Sequence, residues 1–286
     1  MSRIAIIGGG SMGEALLAGI LRAGRTAEDV VISERVSDRA DYLARTYSVR
    51  VVPLAQALEG ADFVILAVKP GDVASVVDQI AAAAIGAGSG GVEQVLISVA
   101  AGKTTAFFES RLPAGSPVIR VMPNTPALVG AGVSALAAGR FATAEQLAQA
   151  AELFTSVGLA LTVPESQIDA VTAVSGSGPA YFFLFVEALV DAGVAAGLTR
   201  AVATDLAVQT MAGSAAMLRD RRDAGGCGST PGPDTAAAEL RASVTSPGGT
   251  TAAGLRELER GGLRAAVAAA VEAAKTRSEQ LGITPE

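Results

Sequence analysis

The sequence predicts an α/β chain in which a doubly wound sheet is followed by an all-α second domain. Short β-branched runs alternate with helix-period stretches as far as residue 163, and this alternation is typical of right-handed βαβ units in a parallel sheet. From Pro164 onward the alternation stops, and long apolar helical patterns take its place. We therefore expect a sheet domain over 1–163 and a helical domain over 164–286.

The predicted strands are apolar runs of the kind that a parallel sheet buries on both faces. They cover 3–8, 29–33, 50–52, 63–68, 95–100 and 118–122, with a last strand near 160–163. Helical periodicity predicts helices over about 11–23, 37–47, 70–84, 104–112 and 143–157. We expect the segment 120–132 to be a long, stiff loop and GAGSGG, 86–91, to be a surface connection.

The second domain is predicted to be all-helical. Its helices cover 178–198, 199–223, 236–242, 251–260 and 263–281. Thr199 is expected to cap the second of these helices, and a Gly/Pro-rich loop, 224–235, contains Cys227. The near-continuous hydrophobicity predicts helices that are covered on several sides, as in an intertwined oligomer.

The composition excludes several classes of function. A net charge of −6 leaves no basic stripe for a nucleic acid. The absence of histidine and the single cysteine exclude histidine general bases, Cys–His nucleophiles and the usual zinc sites, so we expect no metal and a chemistry supplied by a cofactor. No run of about eighteen apolar residues lacks Pro or Gly, and no export signal opens the chain. We therefore expect a cytoplasmic protein without a membrane span.

The segment IIGGGSMG contains a GxGxxG pattern that follows a predicted strand and opens a predicted helix. This is the context that a Rossmann dinucleotide site requires. Gly8 permits the tight turn, Gly10 lets the backbone approach the pyrophosphate, and Gly13 lets helix and strand pack closely. The phosphates would lie at the helix N-terminus, beside Ser11 and Met12. The first domain is therefore predicted to bind a dinucleotide.

The end of the second strand, ISERVSDR, bears on the choice between NAD and NADP. An acidic residue here accepts a hydrogen bond from the ribose 2′-OH of NAD, whereas Arg with a hydroxyl accommodates the 2′-phosphate of NADP. Ser33 and Arg35 favour NADP, while Glu34 keeps NAD possible. A second interpretation is that Glu34 and Arg39 form a solvated surface pair.

Further cofactor contacts are expected where later strands reach the same carboxyl edge, because ligands of open α/β sheets bind there. The segments LAVKPGDV, SVAAGKT and RVMPNTPALVGAG end three of these strands, and the last would form a wall against the nicotinamide. The residues concerned are Ala67, Val68, Lys69, Pro70, Ala100, Ala101, Gly102 and Asn124. The Lys-Pro pair would also serve as an ordinary helix start.

Five segments, AVKP, AAG, VMPNTP, SGSGPAY (175–181) and VTSPGGTTAAGLRELE (244–259), resemble the pyrroline-5-carboxylate reductase family. The resemblance covers nearly the whole chain in order, and 244–259 is its most specific part. It implies a Rossmann domain, a helical substrate-binding and dimerisation domain, and homodimers that assemble further, for example into a decamer. It also implies NAD(P)H-dependent reduction of 1-pyrroline-5-carboxylate to L-proline, the last step of proline biosynthesis. The lengthened connection around Cys227 departs from the family.

The chemistry of SPGGTT agrees with a substrate that has a carboxylate and a C=N bond. The segment leads into a helix, so the amides of about Gly249 to Thr251 would form an anion site, and Ser246 can add a hydroxyl. The resemblance implies that the hydroxyl of Thr251 is catalytic and faces the imine nitrogen, with Thr250 beside it. It also implies that Ser175 lies against the substrate and the partner subunit. The alternatives are that Ser246 and Thr250 are ordinary helix caps and that Ser175 belongs to a plain helix start.

Two other functions fit parts of the sequence. β-Hydroxyacid dehydrogenases share the Gly-rich start and a helical second domain, but they depend on a lysine near the start of that domain, and residues 164–274 contain none. A non-catalytic NAD(P) sensor would share the Rossmann domain, yet it would have no need for an anion site at 246–251.

Overall fold

The structure is a computed structural model that describes residues 2–86, 94–224 and 235–283. The chain forms two compact units, one of Met1–Pro179 with Val271–Glu286 and one of Ala180–Ala270. Most of the predicted connection 86–91 and of the Gly/Pro-rich loop 224–235, with Cys227, lies outside the described residues. The compact units divide the chain at other positions than the predicted 163/164 boundary, which stays a prediction.

The first unit is built on one eight-stranded sheet in the order β3-β2-β1-β4-β5-β6-β7-β8. The strands are β1 (Ile4–Ile7), β2 (Val30–Ser33), β3 (Arg50–Val51), β4 (Phe63–Leu66), β5 (Val95–Ser98), β6 (Val118–Met122), β7 (Gly132–Ala138) and β8 (Gly158–Thr162). The first six pair in parallel, β7 is antiparallel to β6, and β8 is parallel to β7. The predicted fold class is confirmed, with a mixed rather than purely parallel sheet.

The strand β7 was not predicted, because its sequence GVSALAA has a single β-branched residue, Val133, and no aromatic residue, whereas strands are usually rich in both. Its first residue, Gly132, was placed at the end of the expected loop 120–132. In the structure, β6 extends to Met122, a 3₁₀ turn covers Thr125–Val129, and β7 begins at Gly132. Pairing with β6 on one side and β8 on the other fixes this segment as a strand.

Helices cover both faces of the sheet in the first unit. They are α1 (Ser11–Arg22), α2 (Ser37–Tyr47), α3 (Leu54–Leu58), α4 (Val73–Gly86), α5 (Thr105–Glu109), α6 (Ala144–Thr155) and α7 (Ile168–Val171). In β1, Ile4 and Ile6 pack into one apolar cluster while Ala5 and Ile7 pack into another. Successive side chains of a strand point to opposite faces, so the sheet has a buried core on each side.

The remaining helices are α8 (Gly178–Ala195), α9 (Arg200–Ala224), α10 (Ala236–Ser243), α11 (Thr250–Arg260) and α12 (Leu263–Ile283). In the second unit a small cluster of Val190, Ala203 and Ala207 is buried. The stretch Glu165–Ala195 is long and apolar enough, by length and composition, to cross a membrane, and 17% of its most apolar window is buried. No such helix was expected, because the sequence criterion excluded runs with Gly or Pro, and this stretch contains both.

Candidate functional site

The Gly-rich turn after β1 packs closely on one side and is open on the other. Gly8 has a φ of +102°, and a Cβ added there would lie 2.6 Å from the carbonyl oxygen of Ala67. A Cβ added to Gly13 would lie 2.0 Å from the carbonyl oxygen of Gly8, whereas one added to Gly10 would meet nothing within 4 Å. The turn is therefore held against the end of β4, and the backbone at Gly10 is free to approach a ligand.

The N-terminus of α1 begins at this open position. Gly10 is its N-cap without a side-chain cap, and the first helical bond runs from the Glu14 amide to the Gly10 carbonyl at 2.9 Å. The amides of Ser11, Met12 and Gly13 precede that bond, so they have no carbonyl partner within the helix. Such amides, together with the helix dipole, suit the phosphates of a dinucleotide. The residues present therefore fit the predicted cofactor.

Glu34 and Arg39 hold the peptide groups of the Gly-rich turn from two sides. The Glu34 carboxylate accepts hydrogen bonds of 2.8 Å from the amides of Gly9 and Val36. Arg39 donates from Nε to the Gly9 carbonyl at 2.6 Å and forms an ion pair with Glu14. The interpretation of Glu34 and Arg39 as a surface pair is therefore wrong, because each side chain has a different partner that supports the turn.

A small polar cluster supports Arg39 in this position. Tyr47 and Tyr42 donate hydrogen bonds of 2.8 Å and 3.0 Å to the Glu14 carboxylate. Burial opposes the ionisation of Glu14, but the bonds from Arg39, Tyr47 and Tyr42 outweigh it and lower the pKa of Glu14. Burial and the bond to Glu14 raise the pKa of Tyr47 to about 12. Glu14 is therefore an anion at neutral pH, and it fixes the guanidinium that contacts the turn.

Ser33 and Arg35 lie at the end of β2, beside the Gly-rich turn. The Gly8 amide donates to the Ser33 carbonyl at 2.8 Å. Arg35 is mostly exposed and donates two hydrogen bonds, of 3.3 Å and 3.2 Å, to the carboxylate of Asp72. Sequence reasoning missed Asp72, which ends the 3₁₀ turn Pro70–Asp72 after β4.

The other predicted cofactor residues lie after β4 and β5. The Ala67 amide donates to the Ile7 carbonyl at 2.8 Å, so the ends of β4 and β1 are joined, with Val68 next in the chain. Lys69 and Pro70 are exposed at the start of the 3₁₀ turn.

Two of the three predicted residues after β5 are buried rather than open. The methyl group of Ala100 packs in the core, and Ala101 is half-buried. Gly102 is buried with a φ of +77°, and a Cβ added there would lie 3.2 Å from the Cβ of Leu281 in α12. The end of α12 therefore supports this loop from the side.

The structure brings together two residues to which the sequence assigned different ligands, Asn124 and Ser175. Asn124 donates to the Ser175 carbonyl at 3.2 Å, and its side-chain oxygen accepts from the Val133 amide at 2.9 Å. Ser175 lies in a π-helical turn, Thr172–Gly176, and its hydroxyl donates to the Val171 carbonyl at 3.0 Å. π-Turns are frequent at functional sites, and Asn124 fixes the position of this one.

The second predicted site is the N-terminus of α11, in the second unit. Gly249 is its N-cap without a side-chain cap, so the interpretation of Ser246 and Thr250 as ordinary caps is wrong. The Gly249 amide donates to the Ser246 carbonyl at 3.1 Å, which corrects the expectation that it is free. The first helical bond runs from Ala253 to Gly249, so the amides of Thr250 and Thr251 have no carbonyl partner within α11. Ser246, Thr250 and Thr251 are exposed.

One buried polar network was missed entirely. Arg120 in β6 is 4% exposed and lies 3.3 Å from Glu165 and 3.8 Å from Asp169. Glu165 also accepts bonds of 2.7 Å and 2.6 Å from the amide and hydroxyl of Thr105, and Ser278 donates to Asp169 at 2.6 Å. Asp169 thus anchors α12, which contains Ser278, to this network. The sequence did contain a signal for this network, because the charged Arg120 lies within the apolar strand VIRVM, and a buried charge needs a partner of opposite charge.

Family models match both parts of the chain. Residues 165–281 match a model described as pyrroline-5-carboxylate reductase dimerisation. Residues 3–102 match one described as NADP oxidoreductase, coenzyme F420-dependent. The chain is 66% identical over 291 residues to a pyrroline-5-carboxylate reductase of Mycobacterium tuberculosis, across 100% of this chain and 99% of that protein.

Solved structures show the same similarity. A pyrroline-5-carboxylate reductase of Coxiella burnetii superposes with a TM-score of 0.87 at 35% identity, over 99% of each chain. The pyrroline carboxylate reductase of Plasmodium falciparum with NADP bound superposes with a TM-score of 0.80 at 29% identity, over 98% of each chain. The similarity therefore extends over both the sheet and the helical part of the chain.

Proposed function

The chain belongs to the pyrroline-5-carboxylate reductase family, and we infer that it reduces 1-pyrroline-5-carboxylate to L-proline with a nicotinamide cofactor, the last step of proline biosynthesis. The observation that carries this function is the 66% identity to a reductase of that name along the full chain. It counts against both alternatives, a β-hydroxyacid dehydrogenase and a non-catalytic sensor. The predicted division into 1–163 and 164–286 is proposed as the functional one, and the family match that begins at residue 165 supports it.

NADP is the proposed cofactor, and NAD is the alternative. The open backbone at Gly10 and the amides of Ser11, Met12 and Gly13 would hold the pyrophosphate. Arg35 offers the positive charge that a 2′-phosphate needs, while the Glu34 carboxylate, close to the same turn, could accept from a ribose 2′-OH. The relative with NADP bound also supports the choice. When bound, the cofactor supplies the hydride.

The nicotinamide end would be held by the loops after β4, β5 and β6. The residues proposed for it are Ala67, Val68, Lys69, Pro70, Ala100, Ala101, Gly102 and Asn124. Asn124 acts mainly through the backbone it fixes, because its amide group is bound to Ser175 and Val133. Gly102 and Ala100 are buried, so only their backbone atoms could contact a ligand.

The substrate carboxylate is proposed to bind at the N-terminus of α11. The amides of Thr250 and Thr251 are oriented for an anion, and the exposed Ser246 hydroxyl can donate a further hydrogen bond. Gly249 contributes the close backbone turn rather than its amide, since that amide is bound to Ser246. Ser175 is proposed to contact the substrate from the π-turn.

Thr251 is the proposed catalytic residue. In the reduction, the imine carbon gains a hydride and the nitrogen ends with a proton, so the protein must align the ring and place a donor beside the nitrogen. The Thr251 hydroxyl can do this without being a strong acid, because the substrate imine is itself readily protonated. A chain without histidine can therefore support the reaction.

A cytoplasmic homo-oligomer, at least a dimer and in full a decamer, is the proposed form of the protein. Phe182, Phe183 and Leu184 of α8 are 61%, 68% and 66% exposed, which leaves a large apolar surface on the single chain. A second copy covering α8 accounts for this exposure better than a membrane does, because the family match over this region is to a dimerisation domain.

The activity is tested by following oxidation of NADPH and of NADH in the presence of 1-pyrroline-5-carboxylate, with proline identified as the product. We expect turnover with at least one cofactor and faster turnover with NADPH. A folded protein that binds the dinucleotide but forms no proline would contradict the proposed function. Faster turnover with NADH would contradict only the choice of NADP.

A further inference from the structure

The ion pair between Arg35 and Asp72 joins the two strand ends that flank β1. Arg35 follows β2 and Asp72 follows β4, and β1 lies between these strands in the sheet. The strand order also reverses here, because the chain runs outward from β1 through β2 to β3 and then returns to β4 beside β1. Dinucleotides bind in the crevice at such a reversal. The pair therefore bridges the edge at which the cofactor would enter.

Asp72 occupies both terminal nitrogens of the Arg35 guanidinium. Nη1 donates to Oδ1 at 3.3 Å and Nη2 to Oδ2 at 3.2 Å. Within the described parts of the chain, no other side chain forms a hydrogen bond with this guanidinium. Glu34, the nearest acidic residue in sequence, is turned toward the amides of Gly9 and Val36 instead. A phosphate that binds Arg35 must therefore displace Asp72 or share the guanidinium with it.

This competition affects only one of the two cofactors. A 2′-phosphate would draw on the same guanidinium as Asp72, and it is repelled by the neighbouring carboxylate. NADH has a hydroxyl at this position, so it can bind while the ion pair remains intact. The negative charge of Asp72 thus opposes NADPH and leaves NADH unaffected.

We propose that Asp72 is a specificity-determining residue whose carboxylate competes with the 2′-phosphate of the cofactor for Arg35 and so reduces the preference for NADPH over NADH. This inference rests on the proposed assignment of Arg35 to the 2′-phosphate. The effect of Asp72 on cofactor preference is expected to be small, because the side chains of Arg35 and Asp72 are 78% and 34% exposed to solvent. Exposed pairs are weak, so Asp72 adjusts the preference and does not set it alone.

The test is the isosteric substitution Asp72→Asn, which removes the charge and keeps the size. Calorimetric titration of the full-length protein with 2′,5′-ADP and with ADP separates the phosphate from the rest of the nucleotide. We expect Asp72→Asn to tighten 2′,5′-ADP binding by about two- to fivefold, the range that an exposed ion pair can account for. ADP binding should not change, and kcat/KM for NADPH relative to NADH should rise by the same factor.

Asp78→Asn is the matched control. Asp78 forms a similar exposed pair with Arg111, at 3.0 Å and 3.3 Å, and joins α4 to the residues that follow α5. It should leave both titrations unchanged. The double substitution Arg35→Ala with Asp72→Asn should show no gain over Arg35→Ala, because the proposed competition requires the guanidinium.

Two outcomes would overturn the inference, and they are distinguishable from failure of the proposed site. If Arg35→Ala weakens 2′,5′-ADP more than ADP while Asp72→Asn leaves 2′,5′-ADP binding unchanged or weaker, Asp72 does not compete and only the inference is lost. If Arg35→Ala weakens both nucleotides equally, Arg35 does not contact the 2′-phosphate, and the assignment and the inference are lost together. If the unmodified protein shows no turnover with 1-pyrroline-5-carboxylate, the proposed function itself is refuted.

Discussion

Among single residues, Thr251 has the most important role in the proposed reaction, because the proposed site contains few other side chains that could donate a proton to the imine nitrogen. The chain has no histidine, and the amides of α11 are suited to the substrate carboxylate rather than to the imine. The hydroxyl of Thr251 is exposed at the first turn of the helix, so it can donate to a ligand there. Removing it should therefore affect catalysis more than folding.

We expect Thr251→Val, which replaces the hydroxyl by a methyl group of similar size, to lower kcat/KM by about tenfold to a thousandfold, as loss of one transition-state hydrogen bond does. Thr251→Ser keeps the hydroxyl and should retain most of the activity. Steady-state kinetics with varied 1-pyrroline-5-carboxylate measure both. Wild-type turnover in Thr251→Val would remove Thr251 from the site.

Substitution by alanine should affect stability at Gly8 and dinucleotide binding at Gly10, although both glycines lie in the same turn. Gly8→Ala places a Cβ 2.6 Å from a backbone oxygen at a φ of +102°, so it should destabilise the protein by at least about 1–2 kcal/mol. Gly10→Ala meets no protein atom, so its unfolding free energy should fall by less than about 1 kcal/mol, the usual cost of Ala at an N-cap position. It should nevertheless weaken dinucleotide binding by about tenfold or more, equivalent to about 1.4 kcal/mol.

Thermal denaturation and cofactor titration of the two glycine variants give the comparison. A Gly10→Ala protein that binds the dinucleotide as tightly as the unmodified chain would show that the pyrophosphate does not approach Gly10. An equally stable Gly8→Ala protein would mean that the turn can relax away from Ala67.

At the scale of elements, the sequence predicted which strand ends lie at the proposed site. It did not predict the side-chain contacts that join these strand ends to one another. Parallel strands share one carboxyl edge, so the segments after β1, β2, β4, β5 and β6 had to meet there. The pairing of Arg35 with Asp72 depends on the register of strands far apart in sequence, and no local pattern encodes it. The network of Arg120, Glu165 and Asp169 could not be predicted for the same reason, because both carboxylates are far from Arg120 in sequence.

The strand β7 shows that secondary structure, too, can depend on contacts with distant segments rather than on local sequence. Small residues such as those of GVSALAA accept helix, strand or loop, so neighbouring strands decide the outcome. Helices α1, α2 and α6 were predicted within about two residues because caps and amphipathic periodicity are local. The short helices α3 and α7 contain too few residues for a period to be recognised.

The Arg120 network should be an important stabilising element of the first unit. Glu165→Ala removes an ion-pair partner from Arg120, which is 4% exposed, and also leaves the amide and hydroxyl of Thr105 without their acceptor. We expect a loss of about 2–4 kcal/mol, below the cost of a fully unpaired buried charge because Asp169 remains nearby.

Arg120→Met should be less harmful than Glu165→Ala, because Met fills the buried site and Glu165 keeps its two bonds from Thr105. Thermal denaturation at one fixed protein concentration compares the two variants, since the stability of an oligomer depends on concentration. The reverse order would show that the charge of Arg120 contributes more to stability than the bonds of Glu165 to Thr105.

For the whole molecule, the apolar surface of α8 is best explained by self-association, and Phe183 is its most exposed large side chain at 68%. In a two-fold interface each substitution occurs twice, so a buried charge is doubly unfavourable. We expect Phe183→Glu to weaken dimerisation by at least about a hundredfold, equivalent to about 2.7 kcal/mol. Light scattering over a dilution series measures it, with Phe141→Glu, 43% exposed in the first unit, as the control. An unchanged mass for Phe183→Glu at the lowest concentration would place the interface elsewhere than on this part of α8.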